Sequence, residues 1–159
     1  MPGTLAGFAL PARLRLSDRA TWQDFTSPEV IGVLPGTDPA LRHEYIVLMA
    51  HLDHLGPKQN ARPGEDRIYN GAIDNAAGVA TMLEAARKFV ASGKPPRRSI
   101  LFIANTAEEV GLRGADYFAA NPTVPLQSLV AVVDLDMPML LYEFTDVIAF
   151  GGEHSTLAR

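Results

Sequence analysis

Four short segments of the chain place imidazole and carboxylate side chains close together. The residues are His51 with Asp53, Asp74, the adjacent Glu108 and Glu109, and Asp134 with Asp136. The chain has no cysteine, so any metal it holds must be bound by histidine nitrogen and carboxylate oxygen. This ligand set suits zinc in a hydrolytic role, with manganese or cobalt as substitutes. A carboxylate that bridges two ions about 3.5–4 Å apart would define a two-metal hydrolase.

Several of these residues also have ordinary structural interpretations, and the residue types alone leave both open. A histidine near a strand end is most often a hydrogen-bonded structural residue, and Asp74 ahead of a helix can cap it. Glu108 and Glu109 at a helix start would simply match the positive end of the helix dipole. Asp53, two residues after His51 on an extended segment, can accept a hydrogen bond from the second ring nitrogen of the histidine and fix its tautomer.

Asp134 and Asp136 are harder to explain as structural residues. They interrupt or directly follow an apolar run, where a carboxylate without a partner is costly to bury. The four segments contain few Lys or Arg residues of their own. If these segments meet in the fold, divalent cations are the simplest source of balancing charge.

Hydrophobic periodicity indicates the elements that must bring these segments together. Apolar runs predict strands at 8–16, 29–34, 45–50, 99–104, 128–135 and 147–150, and helical spacing predicts helices at 75–90 and 108–120. Residues 56–69 lack a period and predict a surface loop. Alternating strands and helices predict a largely parallel sheet covered on both faces. Ligand sites in such sheets lie beyond the carboxyl ends of the strands, which is where the acidic and imidazole residues fall.

Composition narrows the classes of partner. The 159 residues include 14 Lys+Arg and 18 Asp+Glu, for a net charge of −4, so no basic surface for nucleic acid or an anionic membrane is expected. The longest apolar stretch, 129–142, is interrupted by charged residues and a proline, and is too short to span a bilayer. The first residues lack the charge order of a secretory signal, so the sequence leaves the compartment undetermined.

The segments also resemble a known family. Their order and spacing are similar to the successive signatures of the di-zinc aminopeptidases of metallopeptidase clan MH, peptidase family twenty-eight. The matching segments are 50–56 (AHLDHLG), 70–78 (NGAIDNAAG), 106–115 (TAEEVGLRGA) and 134–137 (DLDM). The resemblance covers residues 27–157. It implies a three-layer α/β/α sandwich with a mixed, largely parallel sheet of the zinc exopeptidase type, incomplete at its C-terminus.

The resemblance implies a role for six residues and two Zn²⁺ ions. His51 and Asp136 resemble ligands of the first zinc, Asp74 the carboxylate that bridges both ions, Glu109 a ligand of the second zinc, Asp53 the orienting partner of the histidine, and Glu108 the general base. The implied substrates are peptide or protein N-termini, and the implied reaction is hydrolysis by a metal-bound water. The resemblance further implies a cis peptide bond between Asp74 and Asn75.

The chain departs from the family pattern at the second zinc. The family completes that site with a histidine far downstream, which this chain does not contain, so an N-terminal fragment of the catalytic domain with little turnover is expected. His43 is expected to be solvated, and His154 matches no zinc ligand. His54 is closer to the site in sequence, but it is not predicted as a ligand. Asp134 stands where the family often has asparagine.

Residues 1–26 resemble the tail of an upstream inserted domain with its return strand, and 27–159 the N-terminal portion of the zinc peptidase domain. Two alternatives remain open on the same fold: a non-catalytic binding module, and a single-zinc acyltransferase like the glutaminyl cyclases. The presence of Glu108 and of the other ligand positions counts against the binding module, and metal stoichiometry separates the cyclase. Relatives of this kind are mostly exported. The sequence does not indicate the oligomeric state.

Overall fold

The protein is built around a four-stranded sheet. The computed structural model describes residues 7, 11–138, 141–143, 145 and 150–156. The strands are β1 (Val30–Leu34), β2 (Tyr45–His51), β3 (Ser99–Asn105) and β4 (Leu129–Asp134). They lie in the order β1-β3-β2-β4. Each coincides within a residue or two with an apolar run that predicted a strand.

The sheet is mixed, as predicted. Strand β2 pairs in parallel with both β3 and β4, whereas β1 is antiparallel to β3. His51 lies opposite Asn105, and Met49 lies opposite Asp134. The carboxyl ends of the three parallel strands therefore meet at one edge, which is where the polar segments continue.

Two helices pack on this sheet. Helix α1 (Ala77–Ala91) has a run of alanines and straight-chain residues that favour helix, and Gly93, at a φ of 63°, follows its end. Helix α2 (Arg113–Ala120) begins five residues later than the periodicity predicts. The reason is a tight turn before it, in which the non-glycine residues Ala107 and Leu112 have positive φ angles.

The core lies between the sheet and α2. Val47, Met49, Leu101 and Ile103 alternate along β2 and β3 and form one buried cluster with Phe118 of α2. Helix α1 contacts the same two strands and buries Met82, which lies outside that cluster. The two helices therefore make separate contacts with the sheet, as expected of a layered α/β fold.

Two predicted strands need separate comment. The strand predicted at 8–16 is absent from its described part, residues 11–16. This segment pairs with no strand of the sheet, and its apolar residues Leu14 and Leu16 are exposed. Residues 8–10, 144 and 146–149 lie outside the described part of the chain, and Phe150 is in a turn. No helix in the described ranges is long and apolar enough to cross a membrane.

Candidate metal centre

His51, the last residue of β2, lies at the centre of the site. It is almost fully buried, with 3% of its side chain exposed. Its Nε2 atom lies 3.2 Å from Oδ1 of Asp74 and 3.5 Å from Oδ1 of Asp136. Three segments that are distant in sequence thus bring one imidazole nitrogen and two carboxylate oxygens within reach of a single ion.

A contact of the other ring nitrogen of His51, Nδ1, holds the ring in its orientation. Nδ1 lies 3.1 Å from the main-chain carbonyl oxygen of Asp53 and 3.8 Å from its carboxylate. The prediction that the Asp53 carboxylate accepts this hydrogen bond is therefore corrected, because the carbonyl of the same residue is closer. The Asp53 carboxylate instead accepts a hydrogen bond of 2.7 Å from the main-chain N–H of Ala107.

That hydrogen bond holds the turn that presents the two adjacent glutamates. Ala107 has a φ of 58°, and the carbonyl of Glu108 accepts hydrogen bonds from two later N–H groups of the turn. Oε2 of Glu108 lies 4.0 Å from Nε2 of His51. The side chain of Glu109 points to a different partner, His54. The two glutamates diverge, as expected for neighbouring residues.

Asp74 is positioned by the segment that leads into α1. The Asp74–Asn75 peptide bond is cis, as predicted. The buried Asn75 side chain donates to the carbonyl of Leu135 at 2.8 Å and accepts from the N–H groups of Gly78 and Met137, both at 3.1 Å. Asn75 thereby connects the start of α1 to the segment that carries Asp136. Nothing in its spacing indicated this role from the sequence.

A second cluster shares Asp74. Nδ1 of His54 contacts Oε1 of Glu109 and lies 3.9 Å from Oδ2 of Asp74. The two oxygens of Asp74 thus face two different histidines. Within the described ranges, these two clusters are the groups of three or more ligand side chains close enough to hold a metal ion.

The local charges change the proton affinities of the site. Burial raises the pKa of Glu108 above its ordinary value, and the neighbouring carboxylates add to the shift. Burial acts to lower the pKa of His51, but the carbonyl of Asp53 and the carboxylates around Nε2 outweigh it, so that the pKa is raised. Asp134 keeps an exposed surface, yet desolvation of its carboxyl, followed by repulsion from Asp136, raises its pKa.

The residues fit the zinc ions that the family resemblance implies. Nε2 of His51, Nδ1 of His54 and Oε1 of Glu109 are buried atoms without a hydrogen bond of good geometry in the described structure. Nε2 of His51 faces carboxylate oxygens of Asp74 and Asp136, and Nδ1 of His54 and Oε1 of Glu109 face each other. Imidazole nitrogen with carboxylate oxygen is a donor set that zinc accepts in hydrolytic sites.

Comparison with known proteins identifies the family. The model of Peptidase family M28 matches residues 29–158, and the chain therefore belongs to that family. The resemblance inferred from the four motifs is confirmed. The predicted class, a metallopeptidase hydrolase, is confirmed at the level of the family.

Three similar proteins show how far the likeness extends. The "Alkaline phosphatase isozyme conversion protein" of Escherichia coli (strain K12) is 33% identical over 102 residues, which are 62% of this chain and 28% of that protein. The structure of LapB from Legionella pneumophila has a TM-score of 0.53 at 33% identity, covering 71% of this chain and 27% of that one. The structure of BSAP, a zinc aminopeptidase from Bacillus subtilis, has a TM-score of 0.53 at 26% identity, covering 69% of this chain and 24% of that one. These structures confirm the predicted fold class.

Proposed function

We propose that the protein is a zinc aminopeptidase that hydrolyses the N-terminal peptide bond of peptides or proteins. The observation that carries this proposal is the position of His51, whose Nε2 atom faces carboxylate oxygens of Asp74 and Asp136 at 3.2 and 3.5 Å. Family membership and the likeness to a zinc aminopeptidase support it.

Two zinc ions are part of the proposal. His51, Asp74 and Asp136 would hold the first, and Asp74 and Glu109 would contribute to the second. Bound zinc supplies a lowered pKa for water and polarisation of the scissile carbonyl. Two ligand clusters that share one carboxylate favour two ions over the single ion of a cyclase. Manganese or cobalt can substitute in such a ligand set.

Glu108 is the general base in this proposal. Its carboxylate lies at the edge of the first cluster, 4.0 Å from Nε2 of His51, and is partly exposed, so that water and substrate can reach it. Burial raises its pKa towards neutrality, which suits a group that must both accept and release a proton. Oε2 of Glu108 accepts a proton from the attacking water and delivers it to the nitrogen of the leaving amine.

The decisive variant is Glu108→Gln. Glutamine keeps the size of the side chain but cannot accept the proton, so we expect kcat to fall by about 10²–10⁴-fold while zinc content stays at the wild-type value. The measurement is release of nitroaniline from an aminoacyl nitroanilide by the zinc-loaded protein at its natural length, with zinc determined by atomic absorption.

Glu153→Gln is the matched control, because Glu153 is an exposed glutamate that ion-pairs only with His154 among the described contacts. It should keep both zinc and turnover. Wild-type turnover in Glu108→Gln would show that the base is misassigned. Cyclised N-terminal glutamine as the product, with one zinc per chain, would favour the cyclase alternative instead.

A further inference from the structure

We infer that Tyr69 is a specificity-determining residue, whose ring contacts an apolar side chain on the N-terminal residue of the substrate. This inference rests on the proposed function, since it concerns the substrate of the same site. Tyr69 ends the 56–69 loop, which leads from the segment after β2 towards Asp74. The sequence predicted only that these residues form a surface loop, without a role in the site.

The 56–69 loop is held by its own main-chain hydrogen bonds. The N–H groups of Lys58 and Tyr69 donate to the carbonyls of Arg67 at 2.7 Å and Gly56 at 3.0 Å, and an antiparallel bridge joins the two arms of the loop. A turn at residues 62–65 closes the tip, with its last N–H donating to its first carbonyl at 3.0 Å. The backbone of Tyr69 is therefore fixed relative to the segment that follows β2.

The ring of Tyr69 lies beside the second cluster. It packs in an edge-to-face arrangement against the imidazole of His54, with ring centroids 6.0 Å apart and an interplanar angle of 82°. His54 in turn contacts Oε1 of Glu109, and its Nδ1 atom lies 3.9 Å from Oδ2 of Asp74. One imidazole ring therefore separates Tyr69 from the carboxylates that we propose contribute to the second zinc site.

The ring of Tyr69 is held on two sides and still reaches solvent. Besides the contact with His54, the ammonium of Lys58 lies 5.3 Å from the ring centroid and is itself held by Glu65 at 3.1 Å. Nevertheless, 42% of Tyr69 remains exposed. A rigid, partly exposed tyrosine ring offers contact area to a ligand at a low cost in conformational entropy.

The surroundings of the second cluster suit an apolar group. Each of its three residues has an exposed apolar neighbour in the chain. These neighbours are Leu55 after His54, Ile73 before Asp74 and Val110 after Glu109. Ligand sites typically combine apolar and aromatic side chains with a few polar groups that fix orientation. An apolar side chain placed against Tyr69 would therefore remove apolar surface from water next to the polar centre.

The position of the proposed base decides which part of the substrate faces Tyr69. Glu108 lies at the edge of the first cluster and delivers a proton to the leaving amine, so the part of the substrate that leaves lies on the Glu108 side. Glu109 diverges from Glu108, and its partner His54 is the residue on which Tyr69 packs. The N-terminal residue, on the other side of the scissile carbonyl, therefore faces Tyr69.

A purely structural role for Tyr69 would be to hold His54 in place. Loss of that role would lower the activity towards all substrates by the same factor, whereas loss of a substrate contact affects only substrates that have a large apolar side chain. Tyr69→Ala removes the ring, and Tyr69→Phe keeps it. Tyr117→Ala is the matched control, because Tyr117 is an exposed tyrosine on α2.

The experiment measures kcat/KM of the zinc-loaded protein at its natural length for phenylalanyl and alanyl nitroanilides. Tyr69→Ala should lower the ratio of the two values, phenylalanyl over alanyl, by roughly tenfold. Tyr69→Phe and Tyr117→Ala should keep the wild-type ratio. An equal loss for both substrates in Tyr69→Ala would overturn the inference and leave the proposed peptidase intact. Release of nitroaniline from neither substrate by the wild-type protein would refute the proposed function, and the inference with it.

A second measurement uses only the wild-type protein, so it does not depend on how the variants fold. Free phenylalanine has the side chain of the N-terminal residue, and its binding to the zinc-loaded protein can be followed by nuclear magnetic resonance with labelled tyrosine. Nuclear Overhauser effects should connect the ring protons of Tyr69 to the phenylalanine side chain, and alanine should bind more weakly. Phenylalanine that binds without these effects, or no more tightly than alanine, would overturn the inference.

Discussion

At the scale of single residues, the candidate site depends on side chains that lie outside the two ligand clusters. Asp53 shows this most clearly, because its main-chain carbonyl orients His51 while its carboxylate holds the N–H of Ala107. One residue thus connects the end of β2 to the turn that presents Glu108. A carboxylate that binds a main-chain N–H makes a charge-assisted hydrogen bond, which is stronger than a neutral one.

Asp53→Ala should therefore impair zinc binding and catalysis together. The variant loses the acceptor for Ala107, so the turn is free to move and Glu108 and Glu109 lose their fixed positions. We expect the affinity for zinc and kcat each to fall by about 10–100-fold, the cost typical of an outer partner of a metal site. The measurement is the zinc dissociation constant together with kcat.

Asp53→Asn provides the contrast, because the amide oxygen of asparagine can still accept the hydrogen bond from Ala107. It should retain more zinc affinity than Asp53→Ala. Equal losses in the two variants would indicate that the negative charge of Asp53, and not its hydrogen bond, is what the site requires.

The residues that we propose carry the chemistry were named from the sequence and lie together in the structure, whereas their supports were not predicted. The spacing of His51 and Asp53 and the pair at Glu108 marked the site, because imidazoles and carboxylates at strand ends are chemically conspicuous. Asn75 was missed, since an asparagine beside an aspartate resembles an ordinary turn residue. Its role depends on three hydrogen bonds to groups near it only in the fold.

At the scale of elements, the contact between α1 and the segment after β4 sets the distance between Asp74 and Asp136. Gly78 in the first turn of α1 makes this contact possible. A Cβ atom at Gly78 would lie 2.2 Å from the carbonyl oxygen of Leu135 and 2.2 Å from Oδ1 of Asn75. Both atoms belong to the hydrogen-bond network around Asn75, so neither can retreat without breaking it.

Gly78→Ala should therefore destabilise the protein, although alanine is the better helix former. We expect an overpacking cost of about 1–3 kcal/mol in the free energy of unfolding. Denaturant titration measures it. Gly32→Ala is the control, because a Cβ atom at Gly32 in β1 would meet no atom within 4 Å. The free energy of unfolding of this variant should stay close to that of the wild type. A Gly78→Ala protein as stable as Gly32→Ala would mean that α1 shifts freely relative to Leu135.

The contact between the segment before β1 and α2 contains a second element-scale feature. Oε1 of Glu29 is buried without a hydrogen-bond partner in the described structure, and it lies against Gly114 at the start of α2. Burial raises the pKa of Glu29 above its ordinary value. The folded state therefore holds a proton on Glu29 more tightly than the unfolded state does, and the associated stability is lost as the pH rises through the folded pKa.

Glu29→Gln should consequently be more stable than the wild type at neutral pH, because glutamine stays uncharged. The difference in melting temperature should be small near pH 4 and grow towards pH 7, as measured by thermal melts across that range. Glu65→Gln should change the melting temperature in the opposite direction. A hydrogen bond from the N–H of Arg62 and the ammonium of Lys58 lower the pKa of Glu65, so its charged form stabilises the fold. A stability gain independent of pH in Glu29→Gln would contradict the assignment of the effect to ionisation.

The elements themselves were predictable to different degrees. The strands β2 and β3 were predicted because a buried parallel strand is apolar along its whole length. The late start of α2 was not predicted, because Ala107 and Leu112 have a left-handed backbone in a turn held by the hydrogen bond that Ala107 N–H donates to Asp53 and by hydrogen bonds within the turn. Periodicity reports which residues face a core, and it does not report where a turn departs from helical geometry.

At the scale of the whole molecule, the acidic edge of the sheet concentrates negative charge. The chain has a net charge of −4, and most carboxylates of the site converge on His51 and His54 from separate segments. Without an ion, these carboxylates repel one another in partly buried positions, and the pKa of Glu108 is raised first by burial and further by this repulsion. Folding and metal binding should therefore be coupled, because zinc binds the assembled site and not the unfolded chain.

Zinc should accordingly raise the melting temperature of the metal-free protein, and a chelator should reverse the change. A free zinc concentration 100 times the dissociation constant adds about 2.7 kcal/mol of stability, which corresponds to roughly 5–11 °C for a chain of this size. The shift should grow with zinc concentration and shrink strongly in Asp136→Ala, which lacks one carboxylate of the first cluster. Asp116→Ala, an exposed position on α2, should respond as the wild type does. Magnesium should have little effect, because it prefers six oxygen ligands and keeps its water. An equal zinc response in Asp136→Ala and Asp116→Ala would place the stabilising ion elsewhere in the molecule.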